Sequence, residues 1–168
     1  AGFVRGIERK GLQLAGASAL VVGCGGVGSA IAASLAAAGV DRIQLHDVSE
    51  RSAQTLAERL QVHYPAVQVS LAVPDPVGHD LVVNATPLGM NAGDPLPIDV
   101  TRLAPGTFVG EVVMKTEMTG FLQAAKARGC TVQVGSDMLF EMIPPYLEFF
   151  GLPSTTPDRL RALARLND

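Results

Sequence analysis

The sequence predicts a single doubly wound α/β domain, a mostly parallel sheet flanked by helices. Three observations lead there. Short apolar runs alternate with helical stretches along all 168 residues. The first run, Ala19 to Val22, feeds a glycine-rich turn and an alanine-rich helix. A second run then ends on an acid, Asp47, completing the strand–turn–helix–strand layout of a nucleotide-binding unit. The length suits one core and is short for two.

Each element has a local reason. Phe3, Val4 and Ile7, set against Glu8, Arg9 and Lys10, predict a short amphipathic helix ended by Gly11. Ala19–Val22 is apolar on both sides, as a central parallel strand should be. Val27–Ala38 is a small-sided helix closed by Gly39, and Arg42–His46 is the second strand. Ser49 is placed to cap a helix over Arg51–Val62, with Leu56 and Leu60 on its inner face. Val67–Ala72 and Asp80–Asn84 are the third and fourth strands. The segment between them is proline-rich and too short for a crossover helix, so an extended path is expected. Thr107–Val113 and Thr131–Val134 follow as strands, separated by a helix from about Met118 to Arg128 that Gly129 ends. Ser136 or Asp137 starts another helix, which must stop or kink near Pro144 and Pro145. Thr156-Pro157-Asp158 opens the last helix. On it, Arg159, Arg161 and Arg165 read as a solvated face beside Leu160, Leu163 and Leu166.

The turn holds Gly23, Gly25, Gly26, Val27 and Gly28, with Gly23, Gly25 and Gly28 at G-x-G-x-x-G spacing. Bare glycine backbone lets a pyrophosphate approach, and the following helix turns free N–H groups and its positive dipole end toward the anion. Asp47 comes nineteen residues after Gly28, near the spacing of the carboxylate that accepts hydrogen bonds from a ribose diol. Its bland alternative is a cap for the helix beginning near Ser49. Together these features predict a Rossmann-type site for an adenine dinucleotide.

Composition narrows the function further. A net charge of −3 with scattered arginines offers no surface for nucleic acid. Ala19–Val40 is uncharged, but four glycines within six residues argue against a membrane span. The amino terminus lacks the apolar core of a secretory signal. The expectation is a cytoplasmic protein. Cys24 and Cys130 stand far apart without metal-ligand spacing, and read as small buried hydrophobes in a reducing compartment. His46, His63 and His79 also lack ligand spacing and read as surface or loop residues. Lys115 reads as a solvated loop lysine. Met114, Met118, Met138 and Met142 read as core and pocket wall.

Three further blocks are specific: Asn84–Met90 (NATPLGM), Glu111–Leu122 (EVVMKTEMTGFL) and Gly135–Phe140 (GSDMLF). Following GCGGVGSAIAASLAAAG in this order, they resemble the nucleotide-binding domain of the shikimate/quinate dehydrogenase family over nearly the whole chain. The resemblance implies that residues 1–168 form the NAD(P)-binding domain. It also implies an amino-terminal substrate domain, absent here, that carries the lysine and aspartate handling the substrate proton. A chain without them is expected to be inactive alone. Its substrate, a small cyclic hydroxy acid, would be held through that domain. A homodimer is compatible with the resemblance but not dictated by it.

The resemblance also assigns roles. Gly25 to Gly28 would cradle the pyrophosphate, and the turn Asn84, Ala85, Thr86 and Pro87 would run beside the adenosine and nicotinamide ribose region. Val112 and Met114 would flank the nicotinamide, Gly135 would approach the carboxamide, and Met138 would pack on the ring. NADP-using members carry an arginine where this chain has Asp47. A carboxylate repels a 2′-phosphate and accepts from a free 2′-hydroxyl, so NAD is expected over NADP. Arg51 keeps a cation nearby that could lie along the adenine. Met114 and Met142 stand where the family has a tyrosine and a glutamine that touch substrate, which weakens selection for shikimate itself.

Other readings of the glycine turn remain. One is a non-catalytic NAD(H)-binding regulatory module. Another is an ATP-binding domain of the ubiquitin-activating-type adenylyltransferases, which begin similarly but lack NATPLGM. A third, an S-adenosylmethionine methyltransferase, would place an acid near Val21 or Val22.

Overall fold

A computed structural model describes residues 2–165. Six parallel strands form one sheet in the order β3-β2-β1-β4-β5-β6. They are β1 (Ser18–Val22), β2 (Arg42–His46), β3 (Gln68–Leu71), β4 (Leu81–Asn84), β5 (Phe108–Glu111) and β6 (Thr131–Gln133). The helices are α1 (Gly2–Arg9), α2 (Gly26–Ala37), α3 (Glu50–His63), α4 (Gly120–Ala127), α5 (Gly135–Phe149) and α6 (Pro157–Arg165). The doubly wound class is therefore correct, and the described sheet is entirely parallel.

Alternation along the central strands divides the core in two. Ala19 and Val21 of β1, with Leu81 and Val83 of β4, face α1, α2 and α3 through Ile7, Ile31, Leu35 and Leu56. Leu20, Val22 and Val82 point the other way, onto Phe121, Leu122 and Ala125 of α4 and onto Leu103. Apolar side chains on both faces are what a buried parallel sheet requires.

Ser49 caps α3, its hydroxyl accepting from the Ser52 amide. Thr119 does the same for α4 through the Leu122 amide. The β3–β4 link has no helix, as its prolines predict. It spans three inter-strand spacings and the return along the sheet, roughly 20 Å, which nine extended residues cover easily. Asp75 of this link pairs with Arg102 at 2.8 Å. Arg102 ends a 3-10 turn, Val100–Arg102.

Three expectations need correction. First, of the stop or kink expected near Pro144 and Pro145, the stop does not occur: α5 continues to Phe149 with both prolines inside it. The prolines remove only the two amides that would bond Phe140 and Glu141, while the next turn is re-formed by Phe150 N to Tyr146 O at 3.1 Å. Second, Arg161 is no solvated residue. It bonds Asp137 at 2.9 Å, Glu141 at 3.2 Å and Asp158 at 3.1 Å, and its guanidinium lies 5.6 Å from the Phe140 ring centroid. Arg9 adds a 2.6 Å bond to Glu141 and Lys10 one of 2.6 Å to Asp137. Third, His79 lies in the β3–β4 loop as expected, but it is buried and not at the surface. It lies 2.9 Å from Ser18 Oγ and 2.7 Å from Gln44 Oε1, tying the loop before β4 to the start of β1 and the middle of β2. Leu166 lies outside the described residues, as does the side chain of Arg165.

Candidate functional site

The glycine turn leaves β1 at the carboxyl edge of the sheet, beside the ends of β2 and β4. Gly23 adopts φ +99°, the left-handed region where a side chain is strained. A Cβ there would lie 2.8 Å from the Ala85 carbonyl, so the turn sits directly on the β4 loop. A Cβ at Gly28 would collide with the Gly23 carbonyl. The two glycines thus let strand, turn and helix close on one another. Gly25 and Gly26 face open space instead. Gly25 is the N-cap of α2 and supplies no side-chain acceptor, leaving the first-turn amides uncapped. That is the arrangement an anion would complete.

Asp47 reaches across from the end of β2. Its Oδ2 accepts from the Cys24 amide at 2.7 Å, and its Oδ1 accepts from the Ser49 amide at 2.8 Å. The carboxylate therefore bridges the glycine turn and the approach to α3. The α3 cap itself is Ser49, not Asp47. Cys24 is buried between them; burial first, then the charge of Asp47, pushes its thiol up to about 11. Both cysteines are buried and free, as the sequence predicted.

The other candidate residues continue along the same edge. The Ala85 amide donates to the Val22 carbonyl at 2.7 Å, and the Val112 amide to the Asn84 carbonyl at 3.2 Å. A Cβ on Gly135 would lie 2.8 Å from the Val112 carbonyl carbon, so α5 begins against the β5 loop. Ala85, Val112 and Met138 all pack against the core under α1, α2 and α3. Thr86 and Pro87 lie in the β4 loop, fixed by Asn84, whose Oδ1 accepts from the Thr86 amide at 3.1 Å and hydroxyl at 2.6 Å.

Three predicted residues stand apart. Met114 is half exposed and faces a cleft of about 600 Å³ walled by α1, α5 and α6. Met142 is turned toward the start of α1, where a Cβ on Gly2 would meet its side chain. Arg51 lines a small cleft with Cys24, Ser29 and Arg59, while Asp47 lines a neighbouring one with Val48, Ala72 and Val73. Asn84, expected in the loop beside the ribose region, organises that loop, whereas Glu111 and Thr119 are organising residues that the sequence did not single out. Thr119 had a visible signal, a hydroxyl directly before an apolar helical run.

Among the described residues no group of three or more histidine, cysteine or acidic side chains could hold a metal ion. Among those residues no helix is long and apolar enough to cross a membrane.

A nucleotide-binding domain of the doubly wound type is the class that this fold and edge define. A model described as the ThiF family matches residues 4–52, the amino-terminal unit alone. The chain is 36% identical to shikimate dehydrogenase (NADP(+)) of Acidiphilium cryptum over 97% of its own length and 59% of that enzyme's. Quinate dehydrogenase from Corynebacterium glutamicum in complex with NAD superposes with a TM-score of 0.82 at 35% identity, covering 96% of this chain and 59% of that one. The ligand-free 5-ketofructose reductase of Gluconobacter sp. strain CHM43 gives a TM-score of 0.85 at 26% identity, covering 94% and 58%. Over most of its length the chain is similar to shikimate and quinate dehydrogenases, and it matches the nucleotide-binding half of those proteins. It spans about three fifths of the length of these relatives.

Proposed function

We propose that this chain is the coenzyme-binding part of an NAD-linked oxidoreductase acting on a cyclic hydroxylated substrate. One observation carries the reading: the Asp47 carboxylate is fixed on the Cys24 amide, at the mouth of an uncapped helix start. The amides of Gly26, Val27 and Gly28 would hold the pyrophosphate, and Asp47 the adenosine ribose. Ala85, Thr86 and Pro87 would line the path onward to Val112, Gly135 and Met138 at the nicotinamide. The bound coenzyme supplies hydride chemistry, while the chain binds, orients and keeps water from it. Groups that hold the substrate and move its proton would belong to the two fifths of the relatives that this chain does not span.

NAD is preferred over NADP because a 2′-phosphate would be brought against the Asp47 carboxylate. Such like-charge contact costs on the order of several kcal/mol. Relatives named for each coenzyme support a nicotinamide cofactor without deciding between them. The resemblance would put Met114 and Met142 where relatives carry polar groups that touch substrate, and the loss of those hydrogen bonds favours a substrate that differs from shikimate in its pattern of hydroxyls. Likeness to a reductase named for 5-ketofructose supports such a departure. The ThiF-family match over residues 4–52 favours a second reading, a mononucleotide on the same turn.

Calorimetric titration of the chain with NAD, NADP and ATP tests both. The proposal expects NAD to bind at least tenfold more tightly than NADP, and ATP more weakly than either. Tighter NADP binding overturns the role given to Asp47, and binding of ATP alone selects the second reading.

A further inference from the structure

Glu111 ends β5 in a fully buried position. Its Oε2 accepts from the Thr119 hydroxyl at 2.9 Å, while its buried Oε1 has no hydrogen-bond partner among the described residues. Two loops meet at this side chain. The β4 loop is organised by Asn84, the register partner of Glu111, whose Nδ2 donates to the Leu88 carbonyl at 3.0 Å. The β5 loop ends at Thr119, which caps α4, and a Cβ on Gly89 would lie 3.3 Å from its methyl group. Ala85 to Pro87 ride on the first loop, Val112 and Met114 on the second.

Among the described residues, the neighbours that act on this carboxyl are neutral, Thr119 from the α4 side and Asn84 from β4. Burial pushes it up to about 7, and the Thr119 hydroxyl and then Asn84 oppose the rise more weakly. An ionised carboxylate with one unpaired oxygen is costly in a dry site. The least costly relief is to open the overlying loops and admit water, since such loops are the low-stability parts of a fold.

We propose that Glu111 is a positioning residue whose neutral form keeps the two loops closed and whose ionisation loosens them, so that coenzyme binding weakens as the carboxyl loses its proton. This rests on the coenzyme reading above. NAD and NADH titrations of the chain at pH 6.0 to 8.5 are expected to show affinity falling about tenfold. Glu111→Gln is expected to bind with the low-pH affinity of the natural chain at every pH. A pH profile unchanged by the substitution overturns the proposal. Should the variant fail to fold, carbon NMR of the natural chain decides. A Glu111 carboxyl titrating near neutrality, together with the amides of Thr86, Leu88 and Gly89, supports the proposal, and one titrating in the ordinary carboxylate range overturns it. No binding of NAD or NADH at any pH overturns the coenzyme reading and this coupling together. Binding without pH dependence overturns the coupling alone.

Discussion

Asp47 and Gly28 carry opposite kinds of constraint. Asp47 contributes charge at a fixed point, because two backbone amides hold its oxygens. Replacing it by Asn keeps the shape and removes the repulsion, so Asp47→Asn should narrow the NAD-over-NADP preference by about tenfold in paired titrations. Gly28 contributes only the absence of a side chain. A methyl there meets the Gly23 carbonyl, which is backbone and cannot swing away. Gly28→Ala should cost about 3 kcal/mol in urea unfolding and abolish coenzyme binding. Both residues were legible in the sequence, because the G-x-G-x-x-G spacing and the acid after β2 encode their surroundings locally. The orientation of Asp47 was not, since it depends on where β2 lies against β1.

At the level of elements, local signals placed nearly every helix and strand. Apolar runs marked the strands, and Ser49 and Pro157 marked helix starts. The failures share one physical cause: their stabilising partners are distant in sequence. Arg161 reads as solvated until α6 folds onto α5, where it meets Asp137 and Glu141. Burial would raise the Asp137 carboxyl, yet Lys10 and Arg161 hold it below the usual carboxylate range. Arg161→Leu should therefore cost about 2 kcal/mol, moderated because the arginine keeps 23% of its surface in water. The measurable sign is proteolytic release of α6 before the domain itself unfolds. Helix α5 continues past two prolines because its first half is anchored by Arg9 and Arg161. Pro145→Ala restores one amide and should raise the melting temperature by roughly 3 °C, or about 1 kcal/mol.

For the whole molecule, two buried titratable groups pull stability in opposite directions with pH. His79 is held below its ordinary value, first by burial and then by Arg42. The unfolded chain thus binds its proton more readily, so its contribution is present above about pH 6.5 and lost as pH falls below it. Glu111 is held up, from 4.5 to about 7, by burial. There the folded chain binds the proton more readily, so its contribution is complete below about pH 4.5 and lost as pH rises through 7. Thermal melts should show a maximum on the acid side of neutrality. Glu111→Gln should flatten the decline above it and leave the acid side unchanged. Neither buried position was readable from sequence, because burial is a property of the assembled sheet.

The most direct test is a crystal of this chain soaked with NAD. The account predicts the pyrophosphate over the amides of Gly26 to Gly28 and the adenosine ribose hydroxyls on Asp47. A coenzyme bound elsewhere, or a ribose that leaves Asp47 on the Cys24 and Ser49 amides alone, would contradict it.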